Sequence, residues 1–383
     1  DQEICSKNRE SSFMRGKNAF KNVDVIYSRS QKNVHTTEHC SEIQNIKEEE
    51  VMKLIMERCP TDMCHASTLL KTGPDRFLVA WFGGTKEGNG DVAIWITRGN
   101  EEYFDAPQIL AQSDEAHWNP VLFRINESKI ILFYKVGNEI SKWRTMYRIS
   151  EDNGETFVEE KELVQGDQGG RGPVRNKPVR LENGRILAPG STEQGIWKAF
   201  VDRSDDDGVS WNKSEEVEIR QLEYKAGERT VEKDDSAIPV SEQSFYGRGV
   251  IQPTLWESAP GQVHMLLRST EGKIYRSDSG DNGDTWTDAY ATELPNNNSG
   301  IDMVPSEDGK LFLVYNPVGI NWGERTPISL AVSGDNGQTW KKIRDLSTGE
   351  GEFAYPAIIQ DEDFLYITYT YKRKNIAFWK IKK

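Results

Sequence analysis

The chain has 383 residues, and its 48 Lys and Arg against 61 Asp and Glu give a net charge of -13. That sign is wrong for a surface that grips nucleic-acid phosphates or anionic headgroups. Apolar runs such as Ile130–Tyr134 fall far short of the roughly 18 to 20 residues that cross a bilayer as a helix. Instead, 10% aromatic residues with 11 Trp and 32 Gly point to many short strands joined by tight turns.

Residues 1–64 read as an extension. The chain starts Asp1-Gln2-Glu3, as a secreted protein does once its signal peptide is gone. All four cysteines, Cys5, Cys40, Cys59 and Cys64, fall in this stretch without a CxxC pair or a His at finger spacing. Disulfides are therefore expected rather than a metal site, paired Cys5–Cys40 and Cys59–Cys64. Asn22–Ile26 is expected to be a strand. Glu42–Met56 carries Ile43, Ile46, Leu54 and Ile55 at helical spacing and is expected to be a helix. Sequons at Asn126, Asn212 and Asn297 fit a secreted glycoprotein.

From residue 65 to 383 two repeats interleave. The first is an octapeptide with four copies, starting at Ser150, Ser204, Ser279 and Ser333 and reading S-x-D-x-G-x-[ST]-[WF]. Ser and Asp can bond the backbone of a turn, Gly can take its positive φ, and the aromatic can anchor the returning strand. The second repeat is a pair of apolar strands around a polar turn. Its six copies open at His65, Asn119, Lys177, Gln252, Ile301 and Tyr355. Such a period predicts an all-β, six-bladed β-propeller. The one long gap holds Gln221–Gly247, a charged stretch expected to be a surface excursion. The last unit ends a strand short, so Asn22–Ile26 is expected to close it from the other terminus.

In a propeller the first strand of each blade lines the channel. His65, Asn119, Lys177, Gln252, Asp302 and Tyr355 are thus expected to form a polar ring. Lys135, Glu193, Arg268, Asn316 and Arg373 follow the second strands, and Arg325 lies on a loop of the fifth unit. Five cations, Lys135, Lys177, Arg268, Arg325 and Arg373, would then converge in an acidic protein, which implies an acidic ligand. His65 is a candidate acid or base at this mouth. HxH, HExxH, Ser-His-Asp and phosphate-loop patterns are missing, so no metal or cofactor is expected.

The octapeptide resembles the Asp-box of the sialidase superfamily, and the chain from His65 onward looks like that family's propeller. The resemblance implies three arginines on a substrate carboxylate, a tyrosine nucleophile assisted by a Glu, and an Asp acid/base. Arg268 in Leu266-Leu-Arg-Ser matches the second arginine, Arg325 in Gly323-Glu-Arg-Thr the third, and Tyr355 in Phe353-Ala-Tyr-Pro the tyrosine. Two positions depart: Cys64-His65-Ala66-Ser67 stands where the first arginine is expected, and Gln252 where the glutamate is. Glu193 in the neighbouring blade could take over from that glutamate, with Glu87 and Asp91 as counterparts of the Asp. Asn176–Pro178, Gln252–Thr254 and Asn298–Asp302 are similar to motifs of the "predicted neuraminidases". The expected function is a sialidase-like exo-glycosidase acting on an acidic glycan. A uronic-acid polysaccharide lyase and a non-catalytic acidic-glycan lectin are the alternatives.

Overall fold

The computed structural model describes residues 50–223 and 247–383. Those residues form six four-stranded blades, making a six-bladed β-propeller. Blade one is β2 (Met63–Gly73), β3 (Arg76–Gly84), β4 (Ala93–Gly99) and β5 (Gln108–Ala111). Blade two is β6 (His117–Arg124), β7 (Ile130–Val136), β8 (Arg144–Ser150) and β9 (Lys161–Glu162). Blade three is β10 (Val179–Arg180), β11 (Ile186–Thr192), β12 (Ile196–Ser204) and β13 (Asn212–Lys213). Blade four is β14 (Arg248–Ala259), β15 (Gln262–Ser269), β16 (Lys273–Ser279) and β17 (Tyr290–Pro295), joined to blade three by a short parallel pairing of Ile196 and Trp197 with Arg248 and Gly249. Blade five is β18 (Asp302–Pro305), β19 (Leu311–Tyr315), β20 (Ile328–Ser333) and β21 (Lys341–Ser347). Blade six is β22 (Phe353–Gln360), β23 (Phe364–Tyr371), β24 (Asn375–Lys382) and β1 (Val51–Leu54).

The apolar runs of the second strands follow from burial on both faces. In β3, Phe77, Val79 and Trp81 pack against Tyr366 and Phe378 of blade six, while Leu78, Ala80 and Phe82 pack against Leu122 and Leu132 of blade two. Successive side chains on a strand point to opposite faces, so a strand sandwiched between two blades is apolar at every position. The same division repeats round the ring, with separate clusters between blades two and three, three and four, four and five, and five and six. Outer strands such as β21, with exposed Lys341, Lys342 and Ile343, meet water instead.

All four octapeptides make the same turn. Ser150 donates to Asp152 at 2.7 Å and accepts from Gly154 N at 2.7 Å, while Asp152 accepts from Thr156 N at 2.9 Å and Thr156 Oγ1 at 2.6 Å. Ser204, Ser279 and Ser333 repeat these bonds with Asp206, Asp281 and Asp335. The turn glycine has φ between 75° and 89° in each copy and backs onto the preceding blade. A Cβ on Gly283 would lie 2.8 Å from Leu187 of blade three.

The closing strand differs from expectation. β1 pairs antiparallel with β24 from Val51 opposite Lys380 to Leu54 opposite Ala377, and Asn375 locks the junction by bonding both N and O of Met56. The part of Glu42–Met56 that is described is therefore a strand and its exit, not a helix, because an open edge on β24 supplies partners that an isolated helix would lack. Residues 42–49, Asn22–Ile26, Cys5 and Cys40 lie outside the described residues, as does the excursion from 224 to 246.

Cys59 and Cys64 are unbridged thiols. A hydrogen bond between them pulls Cys59 down to about 6 and, with burial, pushes Cys64 up. The expected pairing of Cys59 with Cys64 stands here as two interacting thiols, with Cys64 buried inside β2. Asn126 and Asn212 are exposed, but Asn297 is buried with its amide on the Glu324 carbonyl at 2.7 Å, which removes it as a glycan acceptor in the folded chain.

Gly283→Ala is expected to lose about 1 to 3 kcal/mol of stability, because it combines a left-handed backbone with a contact on Leu187. Denaturant unfolding measures the loss, and an unchanged midpoint would show that this turn does not brace blade three.

Candidate active site

Four inner strands carry a two-residue bulge at one level of the channel. Pairing skips from His65 to Thr68, Trp118 to Val121, Ile251 to Thr254 and Ala354 to Ala357. The first bulged residue has positive φ each time: Ala66 at 56°, Asn119 at 40°, Gln252 at 53° and Tyr355 at 55°. Bulges re-aim side chains beside active sites, and a tyrosine in this region is a true outlier. The register aligns Ala66, not His65, with Asn119, Gln252 and Tyr355. The expected ring is one residue out in blade one, because a polar His65 beside an apolar Ala66 mimics the polar bulge positions of the other blades.

Tyr355 is the centre of the cluster. Its hydroxyl accepts from Arg268 Nη1 at 2.7 Å, leaving the phenol hydrogen free to be donated elsewhere. Arg268 is also held by Asn298 Oδ1 at 3.0 Å and Gln252 Oε1 at 3.1 Å, so three neutral acceptors fix it. The guanidinium carbons of Arg175, Arg268 and Arg325 lie 5.3, 5.7 and 5.3 Å from the ring centroid of Tyr355. His65 packs its ring 4.2 Å from the same ring and exchanges a hydrogen bond with Thr370 at 2.9 Å.

A second, charge-balanced group adjoins it. Glu352 binds Arg325 Nη1 at 2.7 Å and Arg373 Nε at 3.0 Å, and Arg373 reaches Glu87 as well. Burial opposes the Glu352 charge, but Arg325 and Arg373 overcome it and hold the carboxyl down at about 2. Burial also opposes the Arg373 charge, and Glu87 and Glu352 reverse that, pushing its pKa up. Arg373 sits with Lys372 in a two-residue turn with φ of 57° and 53°, a conformation that favours Asn-Gly. The ion pairs hold a sequence that local preference would not choose. His65 is buried beneath four arginines, and desolvation followed by their charges drives its pKa well below the usual imidazole value, so it is neutral at pH 7. Glu193, just past β11, is pushed up to about 7 by burial despite the nearby Arg268 charge.

Other expected residues lie outside this cluster. Lys177 is spent on Asp302, with both carboxylate oxygens at 2.9 Å. Asp302 also accepts from Thr254 Oγ1 and the N of Ile358 at 2.9 Å, tying four blades together at the axis. Lys135 is fully buried, donating to Thr145, Gly170 and Arg171, and burial pulls it down to about 7. Its cation and that of Lys177 therefore serve the scaffold rather than the mouth. Asn119 donates to the Val174 carbonyl, and Asn316 to those of Pro327 and Phe353. Asp91 is exposed and closes its own loop through Thr85 N and Oγ1, both at 2.9 Å.

The family model for the BNR repeat-like domain matches residues 75–367. The chain belongs to that family. It is a member of the sialidase/BNR superfamily. A sialidase from Clostridium perfringens is 26% identical over 177 residues, 44% of this chain and 42% of the relative; the chain therefore matches less than half of that curated relative's length. A Hadza microbial sialidase superposes with a TM-score of 0.65 at 16% identity, over 84% of this chain and 66% of that one. The Trypanosoma rangeli sialidase in complex with the inhibitor DANA gives 0.65 at 12%, over 86% and 59%. At such identities the likeness is one of fold.

Within the superfamily pattern two residues stand out that the repeat alignment did not single out. Arg175 precedes Asn176-Lys177-Pro178 and so falls just before the positions considered for the ring. Glu352 sits in Gly349-Glu-Gly-Glu, which reads as a solvated turn. Each carries chemistry only because the fold brings Tyr355, or Arg325 and Arg373, to it.

Glu352→Gln tests the balanced group. A carboxyl held at about 2 in the folded chain against an ordinary 4.5 stabilises it above pH 4.5, and that contribution is lost as pH falls from about 4.5 towards 2. The variant is expected to melt lower at pH 7 and to lose less stability than wild type between pH 5 and 3. Parallel pH–melting curves would show that Glu352 contributes nothing.

Proposed function

We propose that this protein is a sialidase-like exo-glycosidase that cleaves a terminal, carboxylate-bearing sugar. The observation that carries this reading is the 2.7 Å bond from Arg268 to the Tyr355 hydroxyl, with three guanidiniums gathered round the phenol. Arg268 and Arg325 hold the sugar carboxylate, since a planar guanidinium offers a two-pronged match that an ammonium does not. Tyr355 is the nucleophile. Its Oη bonds to the anomeric carbon as the bond to the leaving oxygen breaks, and its proton passes to Glu193. Water then releases the sugar. A phenol suits an anionic substrate because it brings less repulsion than a carboxylate nucleophile. Glu193, at about 7, is near the optimum for a base acting at neutral pH. Glu87, drawn in by Arg373, is the loop carboxyl assigned to give the leaving oxygen its proton; it takes one back from the water that then attacks the anomeric carbon, and Glu193 returns its proton to Tyr355 as the bond to the sugar breaks. The Trypanosoma rangeli sialidase structures in complex with DANA and with sialic acid support an acidic glycan as ligand.

A lyase acting on uronic-acid glycans is the second reading, and the neutral His65 ring against Tyr355 favours it. Imidazole and phenol side by side could remove the proton α to a carboxylate while the arginines stabilise the enolate.

Tyr355→Phe is expected to lower turnover of fluorogenic sialosides and uronides by at least about a thousandfold while the protein still binds the free sugar. Unchanged turnover removes Tyr355 from the mechanism. An ultraviolet-absorbing unsaturated product, in place of reducing-sugar release, would establish the lyase instead. Glu193→Gln is expected to abolish the rise in kcat through about pH 7 that an ionising base at that value imposes; a retained rise assigns the base to another group.

A further inference from the structure

Arg175 is 2% exposed. Its Nη2 donates to the Pro356 carbonyl at 2.6 Å, and its buried Nε donates to nothing. It has no ion pair among the described residues, where Arg325 and Arg373 share Glu352 and Glu87. The anion nearest in influence is Asp302, whose oxygens already serve Lys177, Thr254, Ile358 and Met303. Burial pulls Arg175 down to about 10, so it is a cation at pH 7. A buried cation without a partner is costly, and a buried donor without an acceptor adds to that cost. Both costs fall if an anion enters beside it. At the same time His65, standing where the superfamily pattern has its first arginine, is neutral, which leaves the carboxylate short of one positive arm.

We propose that Arg175 is that arm: the ligand carboxylate sits between Arg175 and Arg268 beside the Tyr355 ring, so that a guanidinium arriving from blade three replaces one lost from blade one. This rests on the acidic-sugar reading of the site and adds the atom that recognises the acid. Arg175 also braces the Tyr355–Pro356 bulge through the Pro356 carbonyl, so a damaged bulge must be separated from a lost carboxylate contact.

The test compares galacturonic acid with its methyl ester, and N-acetylneuraminic acid with its methyl ester, by calorimetry on wild type and Arg175→Lys. Wild type is expected to prefer each acid over its ester, and the variant to lose about tenfold or more of that preference, since the ammonium cannot make the paired contact. Equal weakening of acid and ester reports only a disturbed bulge and overturns the proposal, as does an unchanged preference. Wild type binding neither acid overturns the acidic-sugar reading itself, and this assignment with it. Should the variant fail to fold, a crystal of wild type with the bound acid decides. A carboxylate oxygen within about 3.2 Å of the Arg175 guanidinium supports the assignment, and a carboxylate held by Arg268 and Arg325 alone refutes it.

Discussion

Every blade of this propeller depends on being covered on both faces. A four-stranded sheet such as blade one, with Phe77, Val79 and Trp81 on one side and Leu78, Ala80 and Phe82 on the other, has no side that water would tolerate. Only a closed ring supplies two neighbours to each member, so closure is a condition of stability for all six blades at once. That explains why a strand as short as β1 matters: Val51–Leu54 completes blade six against β24, and Ile55 and Met56 then enter the cluster shared by blades six and one. The octapeptide turns work on the same boundary, each setting its glycine against the blade before it.

Closure also fixes where the chemistry collects. Six inner strands meet at the axis, and on four of them a bulge turns Ala66, Asn119, Gln252 and Tyr355 into left-handed backbone. Three of these precede a proline, which restricts the preceding residue further. Such strain persists only where the surroundings over-determine it. Here they do: Ser191 Oγ holds Gln252 N, Arg175 holds the Pro356 carbonyl, and Asp302 holds Ile358 N. The scaffold's polar crosslinks and the binding groups are thus built from the same short stretch of each inner strand.

That overlap accounts for what the sequence could and could not reveal. The octapeptides and the six strand pairs are local patterns, and they gave the blade count and the neighbourhood of Arg268, Arg325 and Tyr355. What a charge is spent on is not local. Lys177 and Arg268 look alike in sequence as cations flanking inner strands, yet the first is neutralised by Asp302 from two blades away and the second gives its hydrogen bonds to neutral oxygens. The closing strand was hidden for a related reason. Four residues with one alternation carry too little periodicity to compete with a helical reading of Glu42–Met56, and the partner that decides the matter, β24, is more than three hundred residues away. His65 shows the remaining limit: a bulge shifts register by a residue, and only the pairing with Phe82 reveals on which side of it the histidine falls.

The cations at the mouth divide into two classes, and the division bears on selectivity. Arg325 and Arg373 have their charge returned by Glu352 and Glu87, so they form a rigid wall that costs little to maintain without ligand. Arg175 and Arg268 have no carboxylate within ion-pair distance among the described residues, and both lie against the Tyr355 ring. An anion entering near the balanced pair must compete with Glu352 for the same guanidinium edges, whereas one entering near the unbalanced pair supplies a charge that the protein lacks. Attraction is therefore strongest beside the phenol, where Arg325 also reaches the ring while giving only its Nη1 to Glu352, and weaker towards Arg373. On the proposed reading, a sugar drawn in by its carboxylate places the acid group beside Tyr355, so that the group that recognises the acid and the phenol proposed to attack are neighbours.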